Sequence, residues 1–153
     1  MITFKKIDKE NYMECISLKV KATQRDFVAD NAQSLLDAHY LEGLETLGVY
    51  HDDTMVGFLL YDYDTELGGW SLSRFMIGAQ YQGKGFGSAA LKSFLQFFAS
   101  NIGTNALIAC VNIENKTTLA LFQKFGFAFV EEIEYTHLNK TYREMKLVKR
   151  DWA

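Results

Sequence analysis

The spacing of apolar residues divides the chain into short strands and amphipathic helices. The starting segment ITFKKI alternates like a strand, and two stretches with helical spacing follow, the first capped by Asp8 and the second by Asn31. Gly43 is placed to end the second helix. The runs TLGVYHD and MVGFLLYDYD are predicted to form a hairpin, and GGWSLSRFMI a third antiparallel strand.

Helices and strands alternate in the second half of the chain. A glycine-rich loop leads into a helix with an apolar face formed by Phe86, Ala90, Leu91, Phe94, Leu95 and Phe98. A buried strand, a helix that ends at Gly126 and a last hairpin complete the order β-α-α-β-β-β-α-β-α-β-β. This order indicates an α+β fold with a mixed, mostly antiparallel sheet. With 153 residues and no repeat or linker, we expect one domain over residues 1–153.

Composition and charge exclude several classes of protein. Apolar residues make up 48% of the chain and charged residues 23%, as in an ordinary globular protein. The net charge of −3 argues against a general nucleic-acid binder, which would carry a basic stripe. The start lacks the apolar core of a signal peptide, and no apolar run reaches the roughly 20 residues that span a bilayer. We therefore expect a cytoplasmic protein without a membrane partner.

Cysteines and acidic residues add two expectations. Cys15 and Cys110 lie far apart without the spacing of metal ligands, so no metal is expected. Cys110 lies in the apolar run ALIACV, which predicts a buried free thiol. Acidic side chains gather in HDDTMVGFLLYDYDTE, where they form either solvated turns or a negative field that attracts cationic ligands.

The glycine-rich loop is the main candidate for a functional site. In RFMIGAQYQGKGFGSAALKSFLQFF a strand meets the loop and a helix follows at once. The first N–H groups of a helix lack intrahelical partners, the helix dipole favours anions there, and glycines let a phosphate approach the main chain. A nucleotide P-loop would need a hydroxyl where Gly85 stands, and a dinucleotide fingerprint a glycine where Ser88 stands.

Two motifs together resemble those of the GNAT family of N-acetyltransferases. Gln80, Gly83 and Gly85 match the acetyl-coenzyme A signature Q/R-x-x-G-x-G/A, and NKTTLALFQKFGF resembles the second signature one strand later. The resemblance spans the chain and implies the GNAT fold, with helices on both faces of the sheet. QRDFVADNAQSLLDAHY and YQGKG further resemble segments of bacterial polyamine acetyltransferases.

The resemblance implies a binding site for acetyl-coenzyme A as cosubstrate. Its pyrophosphate would contact the backbone amides of Gln82, Gly83, Lys84, Gly85, Phe86, Gly87 and Ser88. Its pantetheine arm would pair with the strand residues Phe75, Met76 and Ile77. An amide near Met76 or Ile77 would face the thioester oxygen, and we select that of Ile77. One such donor is worth about 3–4 kcal/mol. Asn115 matches the asparagine that contacts the arm, and it equally suits a helix N-cap.

Two positions depart from the family's catalytic pattern. The tyrosine that often protonates the leaving thiolate is here Phe122, and the carboxylate base of polyamine acetyltransferases is here Ser73. A thiol with a pKa near 8.5 leaves with little help near neutral pH. A primary amine with a pKa near 10.4 is deprotonated only about one part in a thousand. The base is therefore the greater loss.

Acidic residues of the third strand and its turn are candidates for a replacement base. Asp62, Asp64 and Glu66 could each act through water, and we select Glu66, which is nearest the strand that leads to Ser73. His137 in the last hairpin is an alternative. An acceptor of lower pKa, such as a peptide α-amine near 7.7–8.0, would reduce the need for a base.

The resemblance places the acceptor between the first two helices and the last hairpin. Its candidate contacts are Gln24, Phe27, Asp30, Tyr40 and Tyr135. Phe27 and Tyr40 also suit helix positions that face a core. We expect acetyl transfer to a small cationic amine, such as a polyamine, by direct attack in a ternary complex. Peptide α-amines, aminoglycosides and a non-catalytic acyl-coenzyme A sensor are the alternatives, and family members often form homodimers.

Overall fold

The computed structural model describes residues 1–152, which form seven strands and four α-helices. The strands are β1 (Ile2–Lys6), β2 (Glu45–His51), β3 (Thr54–Asp64), β4 (Gly69–Ile77), β5 (Ala106–Asn112), β6 (Ala128–His137) and β7 (Lys140–Arg150). The helices are α1 (Tyr12–Ser17), α2 (Asn31–Tyr40), α3 (Phe86–Ile102) and α4 (Lys116–Lys124). This order confirms the order predicted from the sequence.

The strands form one sheet in the order β1-β2-β3-β4-β5-β7-β6. Every neighbouring pair is antiparallel except β4 and β5, which are parallel and are connected through α3. The larger apolar cluster includes residues of α3 and α4, and the smaller one includes residues of α1 and α2. Helices therefore cover both faces of the sheet, as the GNAT fold requires.

Helix α3 is fixed by its two ends and its apolar face. Gly85 precedes it and Gly103 follows it, with φ of +87° and +79°, a backbone conformation that favours glycine. Five of the six residues predicted for the apolar face are buried, and Phe86 in the first position is half-buried. Helix α3 therefore begins at the glycine loop and runs across the larger apolar cluster.

The start of α2 differs by one residue from the prediction. Asp30, and not Asn31, is the N-cap, and its Oδ1 accepts a hydrogen bond from Gln33 N–H at 2.7 Å. Asn31 is 2% exposed, and its Nδ2 donates to the Cys15 carbonyl at 2.9 Å. The asparagine thus satisfies the end of α1, which leaves the capping role to the aspartate. Helix α1 likewise begins later than expected, with Asn11 at its N-cap.

Replacement of Asn31 by alanine is expected to destabilise the protein. The change removes the side-chain donor to the Cys15 carbonyl, which keeps the 3.2 Å hydrogen bond from Leu18 N–H, and the lost bond costs about 1 kcal/mol of unfolding free energy. Urea denaturation measures the effect. Asn101→Ala is the control, since this exposed side chain of α3 contacts only the Phe97 carbonyl and its loss should stay within about 0.5 kcal/mol. Equal losses in both variants would contradict the structural role of Asn31.

Candidate active site

The two parallel strands at the centre of the sheet separate soon after they meet. Among the described residues, Ser71 and Ile108 are the only registered pair between β4 and β5. On its other side, β4 stays paired with β3 as far as Ile77, opposite Gly57. The separation opens a cleft along β4 from Leu72 to Ile77, in which unpaired backbone groups are available to an extended ligand.

Backbone groups of β4 face this cleft at alternate residues. Gly78 N–H donates to β3 at 2.9 Å, so the backbone groups of Gly78 and, by alternation, of Met76 face β3. Those of Phe75 and Ile77 therefore face the cleft. There the Ile77 carbonyl accepts a hydrogen bond from Gln82 Nε2 at 2.9 Å. The N–H groups of Phe75 and Ile77, and not that of Met76, are donors into the cleft.

Two glycines shape the loop at the mouth of the cleft. Gly83 and Gly85 have φ of +76° and +87°, and a Cβ on either residue would meet nothing within 4 Å. Glycine is thus required there by the backbone and not by a lack of space. Gly85 is the N-cap of α3, and within the described chain no side chain caps this helix. The first amides of α3 remain available to an anion.

A cavity of about 370 Å³ lies between the loop, the separated strands and the start of α4. This volume falls within the range of roughly 300–1,000 Å³ for small-molecule sites. The cavity is lined by nine of the predicted site residues, namely Gln24, Phe27, Phe75, Met76, Ile77, Gln82, Gly83, Gly87 and Asn115. The structure therefore brings the strand and loop residues predicted to bind acetyl-coenzyme A together with Gln24 and Phe27, which are predicted to contact the amine substrate.

Several predicted residues lie outside that lining. Asp30 caps α2, and Tyr40 is 76% exposed beside His39. Glu66 is exposed in the turn before β4, a strand that extends about 26 Å from Gly69 to Ile77. The structure therefore does not bring the selected base to the cleft, because Glu66 lies in the turn before β4, whereas the cleft begins at Leu72 within the strand. Lys84, Gly85, Phe86 and Ser88 form the outer part of the loop and the start of α3.

Polar contacts connect the segment before α2 to the rest of the cleft. The side-chain amides of Gln24 and Gln82 form a reciprocal pair, with N···O distances of 3.0 and 3.3 Å. Beyond them, Lys140 of the last hairpin forms a 2.8 Å ion pair with Asp26. These contacts connect the segment before α2 to the glycine loop through the half-buried amide pair and to the β6–β7 hairpin through an exposed ion pair.

The two family positions on α4 have clear structural environments. Asn115 is the N-cap of α4, where its Oδ1 accepts from Thr118 N–H at 3.3 Å. Phe122 is 2% exposed and packs against Phe127 and against Phe75 of β4, with ring centroids 5.0 and 6.0 Å away. The phenylalanine therefore lines the inner end of the cavity with an apolar ring.

A serine in the cavity is hydrogen-bonded to a carboxylate. The register between β3 and β4 shifts so that Leu72 and Arg74 are paired while Ser73 is the extra residue of a bulge. Ser73 Oγ donates to Asp62 Oδ1 at 2.5 Å and lies 3.2 Å from Ser71 Oγ. Burial raises the pKa of Asp62, and the hydrogen bond from Ser73 offsets part of that rise. The sequence pattern gave no signal for this contact, because it depends on the bulge.

A second carboxylate with a perturbed pKa lies on β7. Burial raises the pKa of Glu144 from about 4.5 to about 7, and a hydrogen bond from Tyr135 acts in the opposite direction. Burial also raises the pKa of Tyr135 and of the nearby Cys110 thiol to about 12, so both are neutral at physiological pH. Tyr135 therefore contacts a carboxylate of its own hairpin, and Cys110, which is half-buried, is an unreactive thiol.

Metal sites and membrane-spanning helices are both absent from the described part of the chain. Among residues 1–152, no three His, Cys, Asp or Glu side chains are arranged to hold a metal ion. None of the helices described is both long and apolar enough to cross a membrane.

The glycine loop, the split parallel strands and the cavity define an acyl-transfer type of site, and the family comparison identifies it. The model of the acetyltransferase (GNAT) family matches residues 4–127, and the chain belongs to that family. Its members transfer acetyl from acetyl-coenzyme A, and the first amides of α3 suit the pyrophosphate of that cosubstrate. The chain is an acetyl-coenzyme A-dependent N-acetyltransferase.

Curated relatives and solved structures carry more specific names. The chain is 29% identical to a spermine/spermidine N(1)-acetyltransferase of Bacillus subtilis. The alignment of 140 residues covers 88% of this chain and 92% of the relative. A Vibrio cholerae spermidine N-acetyltransferase, solved with coenzyme A and spermine, matches with a TM-score of 0.72 at 15% identity over 97% of this chain and 94% of that one. A putative phosphinothricin N-acetyltransferase matches with a TM-score of 0.73 at 17% identity over 100% and 99%. The fold alone therefore does not select the acceptor.

Glu144→Gln is expected to stabilise the protein at alkaline pH. Because the folded-state pKa of Glu144 is raised to about 7, the wild type loses stability as pH rises from about 4.5 to about 7, and the neutral amide removes that loss. We expect a gain of about 1–2 kcal/mol at pH 8, after allowance for partial exposure, and little difference at pH 5. Urea denaturation at both values measures it. Exposed Glu42→Gln is the control, and a matching gain there would refute the assignment.

Proposed function

We propose that residues 1–153 form a single domain that transfers acetyl from acetyl-coenzyme A to a primary amine of a cationic polyamine, by direct attack in a ternary complex. The observation that carries this proposal is the cleft itself, in which backbone donors of β4 lead from the glycine loop to a serine and a carboxylate. Donor and acceptor would thus meet in one continuous space.

The donor side follows from the backbone. The amides of Gln82 to Ser88 would bind the pyrophosphate, and Phe75 to Ile77 would pair with the pantetheine arm where β5 has moved away. Of the two N–H groups that face the cleft, that of Ile77 lies beside the loop and that of Phe75 beside Ser73. We assign the Phe75 amide to the thioester oxygen, because the acetyl group is the end of the donor farthest from the loop.

The amine substrate would bind to side chains on the part of the cavity opposite the glycine loop. Phe27 supplies an apolar surface for a methylene chain, and Gln24 supplies polar contacts. Asp62 and, on the same face of the sheet, Glu144 and Asp64 give this end of the cleft a negative field that suits an ammonium group. The names of the Bacillus subtilis and Vibrio cholerae relatives agree with a polyamine acceptor.

The missing tyrosine is compatible with turnover. A coenzyme A thiol with a pKa near 8.5 leaves as a thiolate near neutral pH, so Phe122 costs the reaction little. A phenol at that position would have to be hydrated or hydrogen-bonded, whereas the phenyl ring is buried against Phe75 and Phe127.

Steady-state assays of thiol release test the acceptor. With acetyl-coenzyme A saturating, we expect spermidine and spermine to give kcat/KM at least tenfold above an aminoglycoside and above short peptides with free α-amines. Calorimetric titration with acetyl-coenzyme A alone runs in parallel. Turnover of the peptides only would overturn the polyamine proposal, and tight donor binding without turnover of any amine would replace the enzyme with a sensor.

Gly85→Ala is expected to weaken donor binding at least tenfold. The alanine disfavours φ of +87° by about 1–2 kcal/mol and so displaces the amides at the start of α3. Gly43→Ala is the matched control, because Gly43 has φ of +80° with the same open space around it but lies after α2. Calorimetry gives the dissociation constant and urea denaturation the stability. Equal weakening by both variants would show a general loss of folding instead of a loop effect.

A further inference from the structure

We propose that Ser73 and Asp62 together act as the base of the reaction, with Ser73 as the catalytic residue that contacts the amine and Asp62 as the positioning residue that takes the serine proton. This inference deepens the proposed function and depends on it. It assigns a role to a residue whose identity otherwise removes the base from the site.

The geometry of the bulge supports the pair. Ser73 lines the cavity, and its hydroxyl is oriented by Asp62 of the neighbouring strand at 2.5 Å. Ser73 lies two residues before Phe75, a rise of about 6–7 Å along β4, so an amine beside Ser73 stands near the carbonyl that the Phe75 amide would hold. A hydroxyl whose hydrogen points to a carboxylate presents its lone pairs to the cavity, where an ammonium can donate to them.

The proton route balances without any added reagent. The ammonium passes one proton to Ser73 Oγ while the serine hydroxyl passes its own to Asp62. The neutral nitrogen then attacks the thioester carbon, so that a C–N bond forms and the C–S bond breaks with the electron pair on sulfur. The departing thiolate takes the second nitrogen proton, and Asp62 returns the first to solvent.

The charges around Asp62 favour this function. Burial is the largest effect on the pKa of Asp62 and raises it, and the hydrogen bond from Ser73 lowers it. Asp64 of the same strand raises this pKa further and Arg74 of β4 lowers it, with a net rise. Arg74 is itself held by Asp37 of α2 at 2.8 Å, which compensates its charge. Cys110 on β5 is neutral. A carboxylate with a raised pKa is a stronger base than an exposed aspartate, and the serine carries that basicity into the cavity.

Other carboxylates are less well placed. Glu66 is exposed at the opposite end of β4, and its backbone N–H, instead of its side chain, is the group that contacts Asp64. Glu144 has a suitable pKa, but it is hydrogen-bonded to Tyr135 and does not line the cavity. Asp62 accepts a hydrogen bond from a cavity hydroxyl, whereas Asp37 contacts a cavity side chain through its ion pair with Arg74.

The test measures kcat and KM for spermidine between pH 6 and 10 in the wild type and in six variants, among them Glu144→Gln. Asp62→Asn and Ser73→Ala are expected to lower kcat about 100-fold at pH 7 with smaller changes in KM, within the range for a general base. Ser73→Thr keeps the hydroxyl and should retain activity within about fivefold. Glu45→Gln, an exposed carboxylate at the start of β2 opposite Tyr61, is the charge-matched control and should stay within about twofold.

The pH dependence separates proton transfer from structure. As pH approaches the pKa of the amine near 10.4, free amine becomes abundant and the deficit of Asp62→Asn should shrink at least tenfold. A deficit that is constant with pH, or a rise in KM with kcat unchanged, would overturn the proposal, because it would mark a structural or a purely counter-ion role. A normal kcat in Asp62→Asn combined with a reduced kcat in Glu144→Gln would also overturn the proposal.

A double variant protects the test against misfolding. Adding Ser73→Glu to Asp62→Asn places a carboxylate directly in the cavity and should restore at least a tenth of wild-type kcat. Calorimetry with acetyl-coenzyme A should give the wild-type dissociation constant in every variant. If the wild type itself acetylates no amine, the proposed function fails. If the wild type is active and Asp62→Asn equals it, only the present inference fails.

Discussion

Beyond the pair of Ser71 with Ile108, the central parallel strands run apart, and the position of every element of the site depends on that separation. The antiparallel strands β1 to β4 form one part of the sheet, and β5, β7 and β6 form the other. Helix α3 connects the two parts and packs its phenylalanines across both. Because the apolar core holds the halves together, the backbone of β4 can remain unpaired on one side without loss of the fold.

The bulge at Ser73 is the second determinant of the site. Before it, Leu72 faces the larger apolar cluster, and after it Ile77 faces the same cluster while Met76 faces the smaller one. A regular strand would place Leu72 and Met76 on the same face. The extra residue thus allows a buried strand to present one hydroxyl to the cavity, beside a carboxylate of β3.

Local patterns in the sequence were sufficient for the order of elements and for the glycine loop. Periodicity predicted α3, and the positive φ of Gly83 and Gly85 agrees with the glycines that mark the loop. Contacts between strands were not predictable in the same way. The choice of Glu66 followed distance along the chain, whereas the contact of Asp62 with Ser73 depends on a register shift that no periodicity reveals.

Side chains near the acceptor show the same limit. Tyr40 occupies a helical position that suits either a core or a pocket, and in the structure it is the exposed last residue of α2. The exchange of roles between Asp30 and Asn31 arises because Asn31 packs against the end of α1, a contact between segments 13 to 16 residues apart. Sequence alone gives the capping tendency of both residues but not the tertiary contact.

The separated strands have a consequence for how such a protein diverges. On the donor side the cleft presents main-chain amides, which every residue except proline possesses, so substitutions along β4 can preserve that recognition. On the acceptor side it presents side chains, such as Phe27, Gln24 and Ser73, each of which one substitution can exchange. Recognition of the donor thus depends on the backbone conformation, and recognition of the acceptor depends on the identity of individual side chains. A single scaffold can therefore keep its donor while its acceptor changes freely.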